Sequence, residues 1–212
     1  MFATDPYIGI KPAEKYVFIV FCGLAGEYYS EPVNVKIERK FTRAISGGVG
    51  FAKTAANYAA ALYPAVKAQN EGYHQLIWTD GKDHDYIEEA GTMNLFFRFN
   101  NKLVTPPLGD TVLDGVTRDS IISICNELKI DIEIRKISVN EIIESINNNT
   151  LIEAFGAGTA ATIAPIKMIG YDSINYNLPP ISDKHYSNVL LNYLSELKFG
   201  KIEDKNNWIV KL

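Results

Sequence analysis

The sequence predicts an α+β fold built on a mixed, barrel-like sheet. Two observations favour this class over a doubly wound parallel sheet: the predicted strands and helices do not alternate strictly, and several strands are joined as hairpins. The clearest hairpin has strands at residues 94–99 and 102–105, on either side of Asn100 and Asn101. The chain of 212 residues is 47% hydrophobic, which is enough apolar material for a large core.

Along the first half of the chain, residue patterns predict three strands and one long helix. Residues 16–21 are β-branched and aromatic, which is typical of a buried strand. Residues 33–38 alternate strictly between apolar and polar, which indicates a half-exposed strand. Small, uncharged helix formers predict a helix over 54–70 that ends at Gly72, and an apolar strand follows at 73–79.

The second half predicts further strands and three helices. Helices are expected at 116–128, from Ser138 (where Glu141 completes a capping box) and at 182–199. Strands are expected at 131–137, 151–155 and 161–169, and the last two flank a small-residue loop at 156–160. The apolar tail at 208–212 is predicted to close the sheet.

Composition argues against several classes of partner. The formal net charge is −4 and no basic patch stands out, so we predict no nucleic-acid partner. No apolar run is long enough to span a bilayer, so we predict no membrane association. Cys22 and Cys125 lie in apolar contexts, which predicts buried free thiols in a reducing cytoplasm. His74, His84 and His185 are scattered, so we predict no metal site.

Lys53 follows a glycine-rich turn and is surrounded by small and apolar residues. The three glycines at 47–50 allow a tight turn and a close approach by a bulky group. Desolvation favours the neutral amine, which attacks carbonyl groups, and lysines that form Schiff bases with pyridoxal phosphate need this setting. The alternative is a lysine that extends from a helix start into solvent.

Three further stretches have the composition of binding elements. Residues 114–117 place Thr117 at a helix start, where free N–H groups favour an anion, although Asp114 could simply cap the helix. The small residues at 156–160 could line a second anion site with backbone amides, or could form an ordinary tight turn. In the Glu88–Glu89 pair, one carboxylate could face a protonated ring nitrogen, and the alternative is an acidic turn in solvent.

These motifs together resemble the branched-chain amino-acid aminotransferases. The matching positions, in family order and spacing, are Lys53, Tyr58, the run 89–94, the run 113–118 and the run 156–160. The family belongs to the fold-type-IV pyridoxal-phosphate enzymes. The resemblance therefore implies the D-amino-acid-aminotransferase-like fold and pyridoxal 5'-phosphate as the cofactor.

The resemblance also implies a role for each matching residue. Lys53 would form the Schiff base with the cofactor and move the substrate α-proton, Tyr58 would bind the cofactor's phenolic oxygen, and Glu89 would pair with its pyridine nitrogen. The cofactor's phosphate and ring would contact Leu113, Gly115, Val116, Thr117 and Thr159, with Arg43 nearby. The residues implied on the substrate side are Tyr28, Thr92, Gly158, Thr159 and Ala160.

The implied reaction is transfer of the amino group from leucine, isoleucine or valine to 2-oxoglutarate, in a homodimer. The resemblance leaves open a D-amino-acid transaminase, an aminodeoxychorismate lyase, or a non-catalytic fragment that binds phosphate compounds weakly. Family members have an N-terminal domain before the position of Met1, so we expect residues 1–29 to be its remnant and 30–212 to be the large cofactor-binding domain. Ala161 and Ala164 stand where some relatives carry a Cys-x-x-Cys pair, so we predict no thiol switch.

Overall fold

The computed structural model describes residues 1–24, 26 and 28–210. In this part of the chain there are eleven strands and four helices. The strands are β1 (Phe2–Ala3), β2 (Tyr16–Val17), β3 (Val33–Ile37), β4 (Gln75–Thr79), β5 (Ile87–Ala90), β6 (Met93–Phe99), β7 (Lys102–Thr105), β8 (Ile132–Ile134), β9 (Leu151–Gly158), β10 (Thr162–Tyr171) and β11 (Ile174–Asn177). The helices are α1 (Ala55–Asn70), α2 (Val116–Glu127), α3 (Val139–Asn147) and α4 (Tyr186–Lys198).

Six strands close into a barrel in the order β10, β3, β4, β5, β6, β9 and back to β10. The sheet is mixed, because β3 runs parallel to both β10 and β4 while the other neighbours in the ring are antiparallel. Strands β7 and β8 continue the sheet outward from β6, and β11 does so from β10. The predicted α+β fold with a mixed, barrel-like sheet is confirmed.

Apolar residues on both faces of the barrel strands form separate parts of the core. Successive side chains of a strand point to opposite faces. Accordingly, Leu95 and Phe97 belong to one buried cluster with residues of β3, β4 and β10, whereas Phe96 belongs to a second cluster with Phe155 and residues of α2 and α4. A third cluster packs Ala68 of α1 against β4. Burial on both faces explains the continuous apolar run in β6.

The strand register aligns polar positions of the candidate motifs across the barrel wall. Glu89 of β5 is paired with Asn94 of β6, and Asn94 is paired with Ala157 of β9. Gly158 is paired with Thr162 of β10. Residues that lie as much as 63 positions apart in the sequence therefore meet at neighbouring strand positions.

Several predicted elements have the expected extent. Helices α1 and α2 begin and end within a residue or so of prediction, and β3 shows the predicted half-exposed alternation. The Ser138 hydroxyl accepts the N–H of Glu141 at 3.0 Å, as the predicted cap requires. The Glu141 carboxylate binds Arg135 in a two-point ion pair, so the capping box is completed only in part.

Other expectations were wrong. Residues 16–21 were predicted to form a buried strand, but only Tyr16 and Val17 are in a strand and all six side chains are exposed, because no layer of the described chain covers them. The predicted loop at 156–160 begins later, since β9 continues to Gly158. Strand β8 and helix α4 are shorter than expected, and β11 was missed.

The two chain ends and the cysteines add three findings. Residues 208–210 lie outside any strand, and 211–212, the end of the tail predicted to close the sheet, lie outside the described residues. Cys125 is buried as predicted, and burial raises its pKa to about 12, but Cys22 is exposed because it lies in the uncovered segment. Among the described helices none is both long and apolar enough to cross a membrane.

Candidate active site

Lys53 and Tyr58 are brought together by the first turn of α1. Lys53 immediately precedes the helix, whose N-cap is Thr54, and its Nζ donates a hydrogen bond of 2.8 Å to the Tyr58 hydroxyl oxygen. The Lys53 side chain is exposed, which corrects the prediction of a desolvated amine. The physical reason is that α1 contacts the barrel only through the face that carries Asn57, Pro64 and Ala68. The alternative of a solvent-facing lysine therefore describes this chain's geometry.

The loop that carries Lys53 is held on two sides. Asp110 accepts the Gly47 N–H with its carboxylate at 2.9 Å and the Phe51 N–H with its carbonyl at 3.0 Å. From inside the helix, the Asn57 amide donates to the carbonyls of Val49 and Ala52, each at 2.9 Å. Four hydrogen bonds thus position the loop at 47–52, immediately before Lys53. No sequence pattern around Asp110 or Asn57 predicts this role.

Glu89 forms a buried ion pair with Arg43 next to this loop. An Arg43 Nη2 lies 2.8 Å from Glu89 Oε1, and both side chains are 5% exposed. The N–H of Leu113 donates to the other carboxylate oxygen at 2.9 Å. Burial raises the pKa of the Glu89 carboxyl to about 7, and the positive charge of Arg43 limits the rise. Of the two neighbouring glutamates, Glu89 is therefore the buried, partnered carboxyl.

Arg43 links this pair to the rest of the site. Its Nη1 donates to the Thr111 carbonyl at 2.9 Å, and its Nη2 donates to the Gly50 carbonyl at 3.3 Å. The guanidinium therefore joins the Lys53 loop to the loop before α2 while it neutralises Glu89. Sequence patterns did not indicate this contact, since Arg43 and Glu89 lie 46 positions apart.

The N-terminus of α2 lies beside Glu89 and is uncapped. Its N-cap is Gly115, which has no side chain to cap the helix, so the alternative in which Asp114 serves as the cap is wrong. The Asn94 side-chain amide donates to the Leu113 carbonyl at 2.9 Å. A Cβ on Gly115 would come within 2.1 Å of the Asn94 oxygen, so Asn94 and Gly115 fit together only because Gly115 lacks a side chain. The free N–H groups at this end, where Val116 is 79% exposed, are suited to an anion.

The predicted substrate-side residues form two groups. Gly158 lies against Thr92, because a Cβ on Gly158 would approach the Thr92 carbonyl oxygen to 2.7 Å. Thr159 and Ala160 are exposed in the turn between β9 and β10. Tyr28 and Ala160 line one open cavity of about 850 Å³. Among the residues described, no hydrogen bond joins this turn to Lys53 or Glu89.

The arrangement offers an amine beside a phenol, a buried carboxyl that titrates near neutrality, and an uncapped helix N-terminus. An amine can form a Schiff base with an aldehyde, a carboxyl can bind a protonated ring nitrogen, and helix N–H groups can bind a phosphate. Among the described residues, no cluster of His, Cys, Asp and Glu side chains is able to hold a metal ion.

Comparison with known proteins shows the family of the chain. The family model described as amino-transferase class IV matches residues 26–169, which include the Lys53 loop, Glu89, the α2 N-terminus and the turn after β9. This match covers more than half of the chain, and the chain therefore belongs to the amino-transferase class IV family.

The curated relatives narrow the comparison. A probable branched-chain-amino-acid aminotransferase of Staphylococcus aureus (strain MRSA252) is 37% identical over 99% of this chain and 60% of its own length. Branched-chain-amino-acid aminotransferase 2 of Bacillus subtilis is 34% identical over 99% of this chain and 59% of its own length. The chain thus spans about 60% of the length of the curated relatives that it matches.

Solved structures share the fold. The branched-chain aminotransferase of Thermoproteus uzoniensis, crystallised with norvaline, matches with a TM-score of 0.74 and 27% identity over 87% of this chain and 58% of its own. The Escherichia coli branched-chain aminotransferase matches with a TM-score of 0.73 and 28% identity over 88% of this chain and 59% of its own.

Proposed function

We propose that this chain binds pyridoxal 5'-phosphate at Lys53 and acts in the transamination of leucine, isoleucine and valine with 2-oxoglutarate. The observation that carries the proposal is that the loop at 43–53 connects the Lys53–Tyr58 hydrogen bond to the buried Arg43–Glu89 ion pair. The relatives' names supply the substrate class.

The residues present fit the cofactor chemically. Pyridoxal phosphate has an aldehyde, a phenolic oxygen, a ring nitrogen and a phosphate. Lys53 and Tyr58 supply an amine and a hydroxyl for the first two, and Glu89 supplies a carboxyl for the nitrogen. The uncapped N-terminus of α2, at Gly115, Val116 and Thr117, supplies N–H groups for the phosphate, with Leu113 beside the ring and Thr159 as a further hydroxyl.

When bound, pyridoxal phosphate stabilises negative charge on the α-carbon of an amino acid by drawing electrons into its ring. In this proposal the Lys53 amine receives and returns the α-proton, and the Tyr58 hydroxyl keeps the amine oriented by the contact of 2.8 Å. The Glu89 carboxyl, which Arg43 holds in place, would be the group that binds the ring nitrogen and keeps a proton there.

The substrate assignment rests on chemistry that the relatives share. The Thermoproteus uzoniensis protein was solved with norvaline, an amino acid with an unbranched apolar side chain. In this chain Tyr28, Thr92, Gly158, Thr159 and Ala160 are proposed to line the substrate side. A homodimer, as the resemblance suggests, in the cytoplasm predicted from the free thiols completes the proposal.

Borohydride trapping tests the assignment of Lys53. The purified chain is incubated with pyridoxal phosphate, reduced with borohydride and digested for mass spectrometry. We expect a phosphopyridoxyl group on Lys53, together with an absorbance band that Lys53→Ala abolishes and that Lys184→Ala, a change at an exposed lysine, retains. Modification spread evenly over surface lysines would contradict the proposal.

A second candidate is cofactor binding without turnover, which the 60% coverage of the relatives motivates. The two candidates are separated by measuring glutamate formation from 2-oxoglutarate and leucine, with chain that forms the borohydride-trapped adduct. Turnover that Lys53→Ala removes supports the transaminase, whereas a specific adduct without turnover supports the second candidate. Preference for D-alanine over leucine would indicate the D-amino-acid transaminase alternative.

A further inference from the structure

A cavity of about 680 Å³ lies next to β5 and shares the supporting residues Asp110 and Thr111 with the candidate active site. Its walls come from the turn after β4, from β5 and from the loop at 106–112 that follows β7. The volume is within the usual range of small-molecule sites. Lys53, Tyr58 and Glu89 are absent from its lining, and Glu88, whose direction in the strand is opposite to that of Glu89, is part of it.

One part of the cavity wall is apolar and is contributed by three segments of the chain. The apolar side chains that line it are Ile45, Ile87, Pro106, Pro107, Leu108 and Val112. Such a surface favours an apolar group of a ligand, because the contact removes hydrocarbon from water.

Two charges of opposite sign in the lining are available to a ligand. Glu88 is half-buried, and burial raises the pKa of its carboxyl, while the nearby Thr111 hydroxyl limits the rise. The Lys136 ammonium lies 5.0 Å from the centre of the Tyr86 ring. Glu88 and Lys136 are the charged groups left for a ligand, because the neighbouring carboxylates already have partners within the protein.

The partners of those carboxylates belong to the protein itself. Asp80 accepts the N–H groups of Asp83, Asp85 and Tyr86, and Asp110 accepts the N–H of Gly47. The Asp83 carboxylate lies 3.6 Å from the Lys82 ammonium on the exposed rim. The lining is therefore a mixed site with one acid and one base, rather than a cluster of free acids.

We propose that this cavity is a second binding site, which takes an amino acid with a large apolar side chain as its zwitterion. The ligand's ammonium group binds Glu88, its carboxylate binds Lys136, and its side chain lies on the apolar wall. A ligand without the ammonium group would leave the half-buried Glu88 carboxylate unpaired, which costs free energy, and a ligand without the carboxylate would lose the attraction of the exposed Lys136 ammonium. Binding here requires neither pyridoxal phosphate nor transamination.

The loop at 106–112 connects this cavity to the Lys53 loop and to Arg43. Asp110 receives hydrogen bonds from Gly47 and Phe51, and the Thr111 carbonyl receives one from Arg43. A ligand that contacts the apolar wall restricts the loop at 106–112, which holds both the Lys53 loop and Arg43. Occupation of the cavity therefore stabilises the peptide before Lys53.

Calorimetric titration of L-leucine into the cofactor-free chain tests the site. We expect saturable binding that weakens about tenfold in Glu88→Gln, which removes a contact to a half-buried charge, and about threefold in Lys136→Met, which removes a contact to an exposed charge. N-acetylleucine, which lacks the ammonium charge, should bind about tenfold more weakly than leucine, and leucinamide, which lacks the carboxylate, about threefold more weakly. The matched controls Glu144→Gln and Lys184→Met change exposed charges outside the cavity and should bind leucine as the unmodified chain does.

Three results would overturn the proposal: no saturable binding of leucine at millimolar concentration, binding by both cavity variants as tight as that of the unmodified chain, or equal binding of the three ligands. Binding that Lys53→Ala abolishes but the cavity variants retain would place leucine in the candidate active site instead. Amide hydrogen exchange supplies a second readout. The Gly47 and Phe51 N–H groups should exchange more slowly with leucine present, and unchanged exchange would contradict the connection to the Lys53 loop.

Discussion

Asn94 and Gly115 show how a single side chain shapes the candidate anion site. The Asn94 amide holds the Leu113 carbonyl, and its oxygen fills the space where a Gly115 side chain would stand. Gly115 has an ordinary φ of −81°, so its requirement is one of space and not of backbone conformation. Glu89, paired in register with Asn94, then meets the Leu113 N–H. Close packing of this kind makes each residue depend on the size of the next.

Gly115→Ala tests this packing. We expect a loss of about 1–3 kcal/mol of unfolding free energy, because the new methyl group clashes with Asn94. Denaturant unfolding measures the change. Gly109→Ala, where a Cβ would meet nothing within 4 Å, is the matched control and should change stability by less than about 0.5 kcal/mol. The double variant Asn94→Ala/Gly115→Ala should show strong coupling, and strictly additive effects would contradict the clash.

The Glu89 carboxyl should give stability a particular pH dependence. Its folded pKa of about 7 exceeds its ordinary value of 4.5, so between these values the folded chain holds a proton that the unfolded chain releases. Its contribution is fully present below pH 4.5 and is lost as the pH rises through 7, by up to about 3 kcal/mol. Denaturant unfolding of the wild type and Glu89→Gln at pH 5 and pH 8 measures the difference.

The control for this comparison is Glu144→Gln, which changes an exposed carboxyl of α3. This variant should show the same change of unfolding free energy with pH as the wild type. Glu89→Gln should show a smaller change, because the contribution from titration of Glu89 is absent. If the unfolding free energies of the wild type and Glu89→Gln changed with pH in parallel, the pKa of Glu89 would be the same in the folded and the unfolded chain, which would contradict the prediction.

Helices α3 and α4 begin in two different ways. The start of α3 is local: Ser138 accepts the N–H of Glu141, three residues on, and the pattern could be predicted. The start of α4 depends on a distant strand, because the Glu153 carboxylate of β9 accepts the N–H groups of Tyr186 at 2.6 Å and Ser187 at 3.1 Å. This contact explains why α4 begins at Tyr186 and not at the predicted residue 182.

Glu153→Ala should destabilise the fold by about 3 kcal/mol, because it leaves buried helix N–H groups and Arg98 without their carboxylate. Amide exchange should accelerate in the first turn of α4 more than in α2. Glu144→Ala, on the exposed face of α3, is the control and should alter stability by less than about 0.5 kcal/mol. Equal losses in the two variants would contradict the capping role of Glu153.

At the scale of the whole molecule, one segment of the described chain keeps its apolar residues in solvent. Phe18 and Val20 are each 74% exposed and Phe21 is 88% exposed, whereas the barrel strands bury their apolar residues. Apolar residues are also exposed on α1, at Leu62, Tyr63 and Val66. Contiguous exposed apolar surface favours association.

Phe18→Ser together with Phe21→Ser should reduce self-association of the chain while the unfolding free energy stays within about 0.5 kcal/mol of the wild type. Sedimentation velocity over a range of concentrations measures association. Leu62→Ser, a similar change on α1, separates this segment from the helix face, and Phe96→Ser, in the buried core, should unfold the chain. An unchanged sedimentation profile in the double variant would contradict the prediction.

The residue pattern by itself determined the fold class, most strand and helix positions, the Ser138 cap and the order of the candidate motifs. These depend on periodicity and turn chemistry, which act between residues a few positions apart. Tertiary structure alone decided the closure through β9, the exposure of Lys53, the burial of Arg43 against Glu89, and the fit of Asn94 to Gly115. Those features depend on contacts between residues that lie from 21 to 63 positions apart, whose distances arise only when the barrel has closed.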